Sequence, residues 1–441
     1  MLWLYRLAFL PILLFAAPYY LLRMRKRGGY GEAFGHRFGG HPALAPKRPG
    51  GARVWLQAVS VGEMLAIGPL LRALHAEGVE VYLTTTTSTG YALAKKDYAA
   101  LTLGIGYFPI DWWLFVTRAW RKIDPDVVVL AEGERWPEHL HQAASRGVPV
   151  LCINARLSDR SYARLRRFRP AVRLMTEGVT RLLACSKHDE ERFADLGVPR
   201  EKLATTGNIK LDVQITPLSD AEKAQLRREL GLPDGLLLLG SSTWPGEEAA
   251  LLAAWGQARA DGLRCSLLLV PRHAERRGEI ERELEQARDV SVGHDGHPLR
   301  YHFRSRGAAA GEVEVAVGDT TGELRKFTQL ADLVFVGKSL TPHTEGQTPV
   351  EAAALGKPIL VGPGMSNFRA IVDDLKARGA VREVRDPAAL TAAVTELLRD
   401  GSKRATLAEA AVQWRRENGG AVGRTLVEIR AQILRTRKSA A

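Results

Sequence analysis

After a first apolar stretch, the chain alternates short runs rich in Val, Ile and Leu with longer segments whose apolar residues recur at helical spacing. That alternation is the signature of parallel strands covered by helices. In the first half it predicts strands over residues 54–59, 79–85, 126–130, 148–154 and 182–185, with helices over 65–75 and 137–144 among the segments between them. A polar, strand-poor stretch over 216–228 then separates a second alternation, with strands over 236–240, 267–270, 333–336 and 358–361. The expected fold class is α/β in two domains, residues 29–215 and 216–441, the second ending in a basic helix over 407–438. Both halves carry their glycines and polar residues just after strands, where open α/β sheets place ligands. Two such halves facing one another would put a substrate in a central cleft.

Residues 1–28 stand apart as a membrane anchor. The run from Leu2 to Leu22 is broken only by Arg6, Pro11 and Pro18, and as a helix it would reach roughly 32 Å, enough for a hydrocarbon core. Arg23, Arg25, Lys26 and Arg27 follow at once, so the positive-inside rule keeps the remainder in the cytoplasm against an anionic leaflet. A cleaved signal peptide would carry its basic charge before the apolar run, where only Arg6 is found. The two prolines leave both a spanning helix and one lying in a single leaflet open.

Composition narrows the partners. With 46% hydrophobic and 25% charged residues in 441, the chain is globular and neither disordered nor fibrous. Its formal charge of +13 predicts attraction to polyanions. The anchor favours anionic membrane lipid, and no nucleic-acid-binding motif is present, so no nucleic-acid partner is expected. Cys152, Cys185 and Cys265 are an odd, widely spaced set, which suits a reducing compartment and provides neither a disulfide framework nor a zinc site.

Candidate chemistry begins at Ala58-Val-Ser-Val-Gly-Glu63, where a strand ends and a helix opens. Glu63 falls in the first helical turn. A carboxylate there suits a general base at a cleft mouth, and it equally suits the helix macrodipole with no other task. A second acidic cluster, Glu132-Gly-Glu134-Arg-Trp136-Pro137, also follows a strand and precedes a helix that Pro137 can start. Two carboxylates at a second strand end suit hydrogen bonding to a sugar ring or charge tuning of a transition state; without an aspartate pair, no metal site is expected. Lys210, in Thr206-Gly-Asn-Ile-Lys210, lies between the two halves. Arg156, Arg160, Arg164, Arg166, Arg167, Arg169 and Arg173 form a basic stretch that is either a solvated helical face or, beside a membrane, a grip for lipid phosphates, with Glu134, Arg156 and Arg160 as candidate acceptor contacts.

In the second half, polar groups recur at successive strand ends. Gly240-Ser241-Ser242-Thr243 presents amides and hydroxyls suited to phosphate. Arg272 and His273 follow the strand over 267–270, and Gly322, Glu323 and Leu324 open a helix. Thr348, Pro349, Val350 and Glu351 open another, with Glu351 suited to ribose hydroxyls. Individually these are ordinary turn residues. Together they make a phosphate and nucleoside cradle.

Taken in order, Ser60-Val-Gly-Glu63, Glu132-x-Glu134-x-Trp136-Pro137, Asn154-Ala-Arg-Leu-Ser158, Gly207-Asn-x-Lys210, Pro271-Arg-His273, Asp319-Thr-x-Gly322-Glu-Leu324 and Pro358 to Gly362 followed by Asn367-Phe368 resemble the 3-deoxy-D-manno-octulosonic acid (Kdo) transferases over nearly the whole chain. The resemblance implies a GT-B fold of two Rossmann-like domains and a metal-independent, inverting transfer from CMP-Kdo to a lipid A precursor (lipid IVA), with no cofactor. It implies Glu63 as catalytic base and Glu132 and Lys210 as transition-state stabilisers. It also implies an acceptor-binding first domain and a CMP-binding second domain using Arg272, His273, Gly322 through Leu324 and Thr348 through Glu351. Some positions depart from the family pattern. Thr348 replaces an asparagine, Lys338 a common glycine, Trp244-Pro245 a more polar pair, and Gly133 and Arg135 a Thr and a Leu. The first three fall in the nucleotide half, so another nucleotide-sugar donor such as a UDP-sugar, or a non-catalytic lipid-binding role, is the alternative to be tested.

Overall fold

The protein is described from a computed structural model that covers residues 2–27, 31–133, 135–212, 215–290 and 298–440. Among these residues the chain forms two seven-stranded, wholly parallel sheets. It divides into two compact units, Met1–Asp212 with Asn418–Ala441, and Val213–Glu417.

The first unit contains β1 (Arg53–Gln57), β2 (Glu80–Thr85), β3 (Gly104–Tyr107), β4 (Val127–Ala131), β5 (Val150–Ala155), β6 (Arg181–Ala184) and β7 (Leu203–Thr205), in the order β3-β2-β1-β4-β5-β6-β7. The strand run Val127-Val-Val-Leu-Ala131 is apolar throughout because both of its faces are covered. Val127, Val129 and Ala131 enter one core with Val54 and Leu56, while Val128 and Leu130 enter the opposite core with Trp55. Strand order reverses direction at β1, so the crevice beyond the carboxyl ends of β1 and β4 is the switch point where such sheets bind ligands. Glu63 and Glu132 follow those two strands.

The second unit contains β8 (Leu236–Thr243), β9 (Cys265–Pro271), β10 (Tyr301–Phe303), β11 (Val315–Val317), β12 (Leu333–Val336), β13 (Ile359–Val361) and β14 (Arg382–Glu383). Its order is β10-β11-β9-β8-β12-β13-β14. Here the switch point lies between β8 and β12.

Three features differ from the sequence expectation. Strands β3, β7, β10, β11 and β14 were not legible, each being too short for an alternating pattern to stand out. The basic C-terminal helix is two helices, Gly401–Asn418 and Ala421–Ala440, broken at Gly419-Gly420, where Gly420 takes φ 77°. The second of them belongs to the first unit, although the expected boundary assigned it to the second. Val422, Leu426, Ile429 and Ile433 form one helical face buried in the core beside Val54 and Leu56, and Asp212 accepts the Gly420 and Val422 amides at 2.6 and 2.5 Å, capping the helix from the other end of that unit.

The apolar N-terminal stretch is a helix, Leu2–Arg27, of which Leu2–Tyr19 has a mean hydropathy of 1.5 and is long and apolar enough to cross a membrane. Trp3, Leu4, Leu7, Ile12, Leu14 and Phe15 are exposed. Near its start, two polar side chains and one ring are held by the rest of the first unit. Tyr5 donates to Asp111 at 2.7 Å, Arg6 forks onto the fully buried Glu138 at 2.7 and 3.0 Å, and Phe9 stacks on Trp112.

Candidate active site

In the first unit, Ser60 caps the helix Val61–Ala76, its hydroxyl oxygen accepting the Glu63 amide. The Glu63 carboxylate turns back on the same turn: Oε2 accepts the Val59 amide at 2.9 Å and Oε1 the Ser60 hydroxyl at 3.1 Å. The Val59 carbonyl is in turn held by the hydroxyls of Thr85 and Thr87 at 2.9 and 2.8 Å, which ties this turn to the end of β2. A Cβ on Gly62 would meet only Ser60 Oγ, at 3.9 Å, so the first turn is open beside the carboxylate. Burial pushes the Glu63 carboxyl above the usual carboxylate range. The Val59 amide opposes this, Glu132 adds to it, and Ser60 and Lys210 oppose it. A carboxylate with an elevated pKa at a sheet switch point suits a base working near neutral pH. The placement that suits the helix macrodipole is also realised, since Glu63 lies in the first turn of that helix.

Glu132 sits beyond β4 with φ 54°. Its Oε1 lies 2.5 Å from Lys210 Nζ, and its Oε2 lies 3.6 Å from Arg156 Nε. Lys210 is carried by a single turn, Ile209–Leu211, capped by the Asn208 side chain. The first unit therefore brings Glu63, Glu132, Lys210 and Arg156 to one edge of one sheet. Arg160 is exposed on the helix Asp159–Arg167, and Glu134 lies outside the described residues. Asn154, within a motif but absent from the expected site residues, joins this group. Its Nδ2 is 3.4 Å from Glu132 Oε1, and its Oδ1 accepts the Ile209 amide at 3.0 Å. Its signal in the sequence was an asparagine at a strand end, where the backbone takes φ 53°.

A concavity of about 980 Å³ in the same unit opens around Asp126, Arg146 and Lys202, at the opposite, amino-terminal edge of the strands. It contains none of the charged groups just described.

In the second unit the expected nucleotide residues lie at the end of β8 or follow its neighbours β9, β11 and β12, the four strands being adjacent. Ser241 is buried at the end of β8, and Ser242 takes φ 55° at the irregularity between Ser241 and Thr243. The Arg272 amide donates to the Thr243 carbonyl, leaving an exposed arginine beside that loop. His273 Nδ1 is 3.4 Å from Glu275, and its ring meets Trp244 edge-on at 5.3 Å. Gly322 has φ 90°. Glu323 faces Arg304 at 3.3 Å, and Leu324 begins the short helix Leu324–Leu330. Thr348 Oγ1 accepts the Val350 amide, Pro349 is the N-cap, and Val350 opens Val350–Ala354. Glu351, expected to face ribose hydroxyls, accepts Arg325 Nε at 2.7 Å.

Glu247 was missed because it reads as a solvent-facing helix-start carboxylate. It is instead 1% exposed and accepts the amides of Trp244, Lys338, Ser339 and Leu340 at 3.0, 2.7, 2.8 and 3.0 Å. One carboxylate thus fixes both loops of the second switch point. Two departures from the family pattern touch each other there: Lys338 Nζ lies 4.1 Å from the Trp244 ring centroid and 3.4 Å from Glu345. Among the described residues no three His, Cys, Asp or Glu side chains converge as a metal set.

Comparison with known proteins shows the family of the chain. The family described as "3-Deoxy-D-manno-octulosonic-acid transferase (kdotransferase)" matches residues 32–213, and "Glycosyl transferases group 1" matches residues 284–414. The chain is 34% identical to a 3-deoxy-D-manno-octulosonic acid transferase of Bordetella pertussis over 92% of this chain and 93% of that one. It is 31% identical to the Haemophilus influenzae protein of the same name, over 95% and 93%. Among solved structures, a UDP-GlcNAc 2-epimerase from Neisseria meningitidis aligns with 87% of this chain and all of its own at a TM-score of 0.55 and 14% identity, a likeness of fold. With two parallel sheets in two units and these relatives along almost its whole length, the chain has the GT-B fold and belongs to the 3-deoxy-D-manno-octulosonic acid transferase family.

Proposed function

We propose that the protein transfers Kdo from CMP-Kdo to a lipid A precursor, lipid IVA, in lipopolysaccharide core biosynthesis. The observation that carries this reading is the grouping of Glu63, Glu132 and Lys210 at the switch point of the first sheet. In this reading Glu63 takes the proton of an acceptor sugar hydroxyl, and the freed oxygen bonds to the anomeric carbon of Kdo. The bond from that carbon to the phosphate oxygen breaks, and CMP leaves with the electron pair. A single displacement of this kind inverts the anomeric centre and needs no metal. Lys210 and Glu132 balance charge as it develops. Arg156 and Arg160, with Glu134, contact the acceptor.

The second unit holds the nucleotide. Ser241 and Ser242 offer hydroxyls and amides to the phosphate, Arg272 and His273 offer positive charge, and the segments 322–324 and 348–351 receive the nucleoside. Residues 2–22 anchor the protein at the cytoplasmic face of the inner membrane, among anionic lipids. The bonds of Tyr5 and Arg6 to Asp111 and Glu138 keep the first turns of that helix with the unit that follows it, which favours a helix seated in one leaflet over one that crosses.

The test is direct. Purified protein is incubated with a tetra-acylated disaccharide phosphate acceptor and CMP-Kdo generated in situ, and product mass is read. A gain of one or more Kdo units is expected; no gain with CMP-Kdo, or a gain only with a UDP-sugar, overturns the proposal.

A further inference from the structure

Asn154 is 2% exposed at the end of β5, where it takes a left-handed backbone, as Glu132 does at the end of neighbouring β4. Asparagine tolerates that conformation better than almost any other residue with a side chain. The left-handed turn leaves its amide among three groups. The oxygen, Oδ1, accepts two donors: the Ile209 backbone amide at 3.0 Å and the Cys185 thiol at 3.1 Å. Burial pushes that thiol up to about 12, so it keeps its proton and can donate. With its oxygen occupied in this way, the amide must point its NH₂ the other way, toward Glu132 Oε1 at 3.4 Å. The same Glu132 oxygen lies 2.5 Å from Lys210 Nζ, and Lys210 is the residue after Ile209. One buried side chain therefore grips the carboxylate of the ion pair and the backbone that carries its ammonium.

We propose that Asn154 is a positioning residue that sets the Glu132–Lys210 pair in the geometry needed for sugar transfer. Both of its hydrogen-bonding ends are used, and among side chains of this length only an amide carries an NH₂ donor on one branch and an oxygen acceptor on the other. An aspartate would keep the bonds to Ile209 and Cys185 but turn a second anion onto Glu132. A glycine would keep the backbone conformation and release both partners. The inference rests on the transferase reading above, so its experiment includes a readout independent of turnover.

Asn154→Gly and Asn154→Asp are compared with the parent protein in the full, membrane-anchored chain. Turnover and KM for both substrates are measured, together with the rate at which an amine-acylating reagent modifies Lys210, read by mass spectrometry, and the melting temperature. For Asn154→Gly, Lys210 is expected to be modified at least about threefold faster, and kcat to fall on the order of 100-fold with both KM values within about threefold, the loss typical of a misplaced catalytic group. For Asn154→Asp, kcat falls while Lys210 is modified no faster, and the acid limb of the pH profile moves upward as the added anion makes Glu63 harder to ionise. Unchanged Lys210 modification together with unchanged kcat overturns the proposal. So does faster modification with full kcat, or a loss of kcat matched by loss of folded protein. A parent protein that transfers no Kdo while Asn154→Gly still frees Lys210 would sink the transferase reading and leave the positioning contact standing.

Discussion

The Glu63 carboxylate lies 2.9 Å from the backbone amide of Val59, so the candidate base closes the first turn of its own helix and faces the open edge of the sheet from there. Burial raises its pKa, and the two bonds it accepts offset only part of that rise. The same side chain is consequently a cap that costs stability when charged and, in the proposed role, a base that is stronger for being buried.

Glu63→Gln should lower kcat by roughly 10²- to 10⁴-fold, with CMP affinity measured by calorimetry unchanged. In the parent protein the acid limb of kcat/KM should lie above the usual glutamate range, because turnover needs the ionised form. The sign for stability is opposite. A raised carboxyl pKa favours folding while the group is protonated, and that contribution is lost as pH rises through the elevated value. Thermal unfolding at pH 8 should accordingly show Glu63→Gln no less stable than the parent. A large drop in melting temperature would mean that capping is the main role of Glu63.

Lys210 and Glu132 should behave as one unit. Lys210→Met and Glu132→Gln should each reduce kcat by about 10²- to 10³-fold, and the double variant should be no worse than the poorer single one, because either change dissolves the same pair. Fully additive losses in a double-mutant cycle would show that the two residues act separately.

Glu247 offers a check confined to the second unit. A carboxylate accepting four backbone amides cannot be replaced by an amide without setting donor against donor. Glu247→Gln should weaken CMP binding at least tenfold in calorimetry, since the loops bearing Trp244 and Lys338 lose their common anchor. Unaltered affinity would separate this latch from nucleotide binding.

The Arg6–Glu138 pair bears on the anchor. Glu138 is fully buried, and its carboxylate also accepts Gln142. Removing Arg6 alone should destabilise the protein by about 3–5 kcal/mol, the cost of stranding a buried charge, while Arg6→Met combined with Glu138→Met should recover most of the loss. Unfolding in detergent reads both. Equal stability of Arg6→Met and the parent would show that the helix is not held to the first unit in this way.

Much of this protein was legible in its sequence. Residue order alone specified an α/β chain with two sheets, because buried parallel strands must be written as apolar runs and the turns after them in Gly, Ser and charged residues. The ordered motifs were also enough to place Glu63, Glu132 and Lys210 among the candidate catalytic groups. Tertiary structure decided what those residues touch. Asn154 and Ile209 are far apart in the chain and meet only because β5, β6 and β7 are neighbours. Glu247 looks like an ordinary helix-start carboxylate until the β12 loop is folded onto it. The last helix, placed by sequence order with the second domain, is claimed by the first because Val422, Leu426, Ile429 and Ile433 find their apolar partners there. Local pattern dictates which face of an element is apolar, whereas the choice of what covers that face, or of which amides a buried carboxylate accepts, depends on chain segments distant in sequence and is made only when the whole chain is packed.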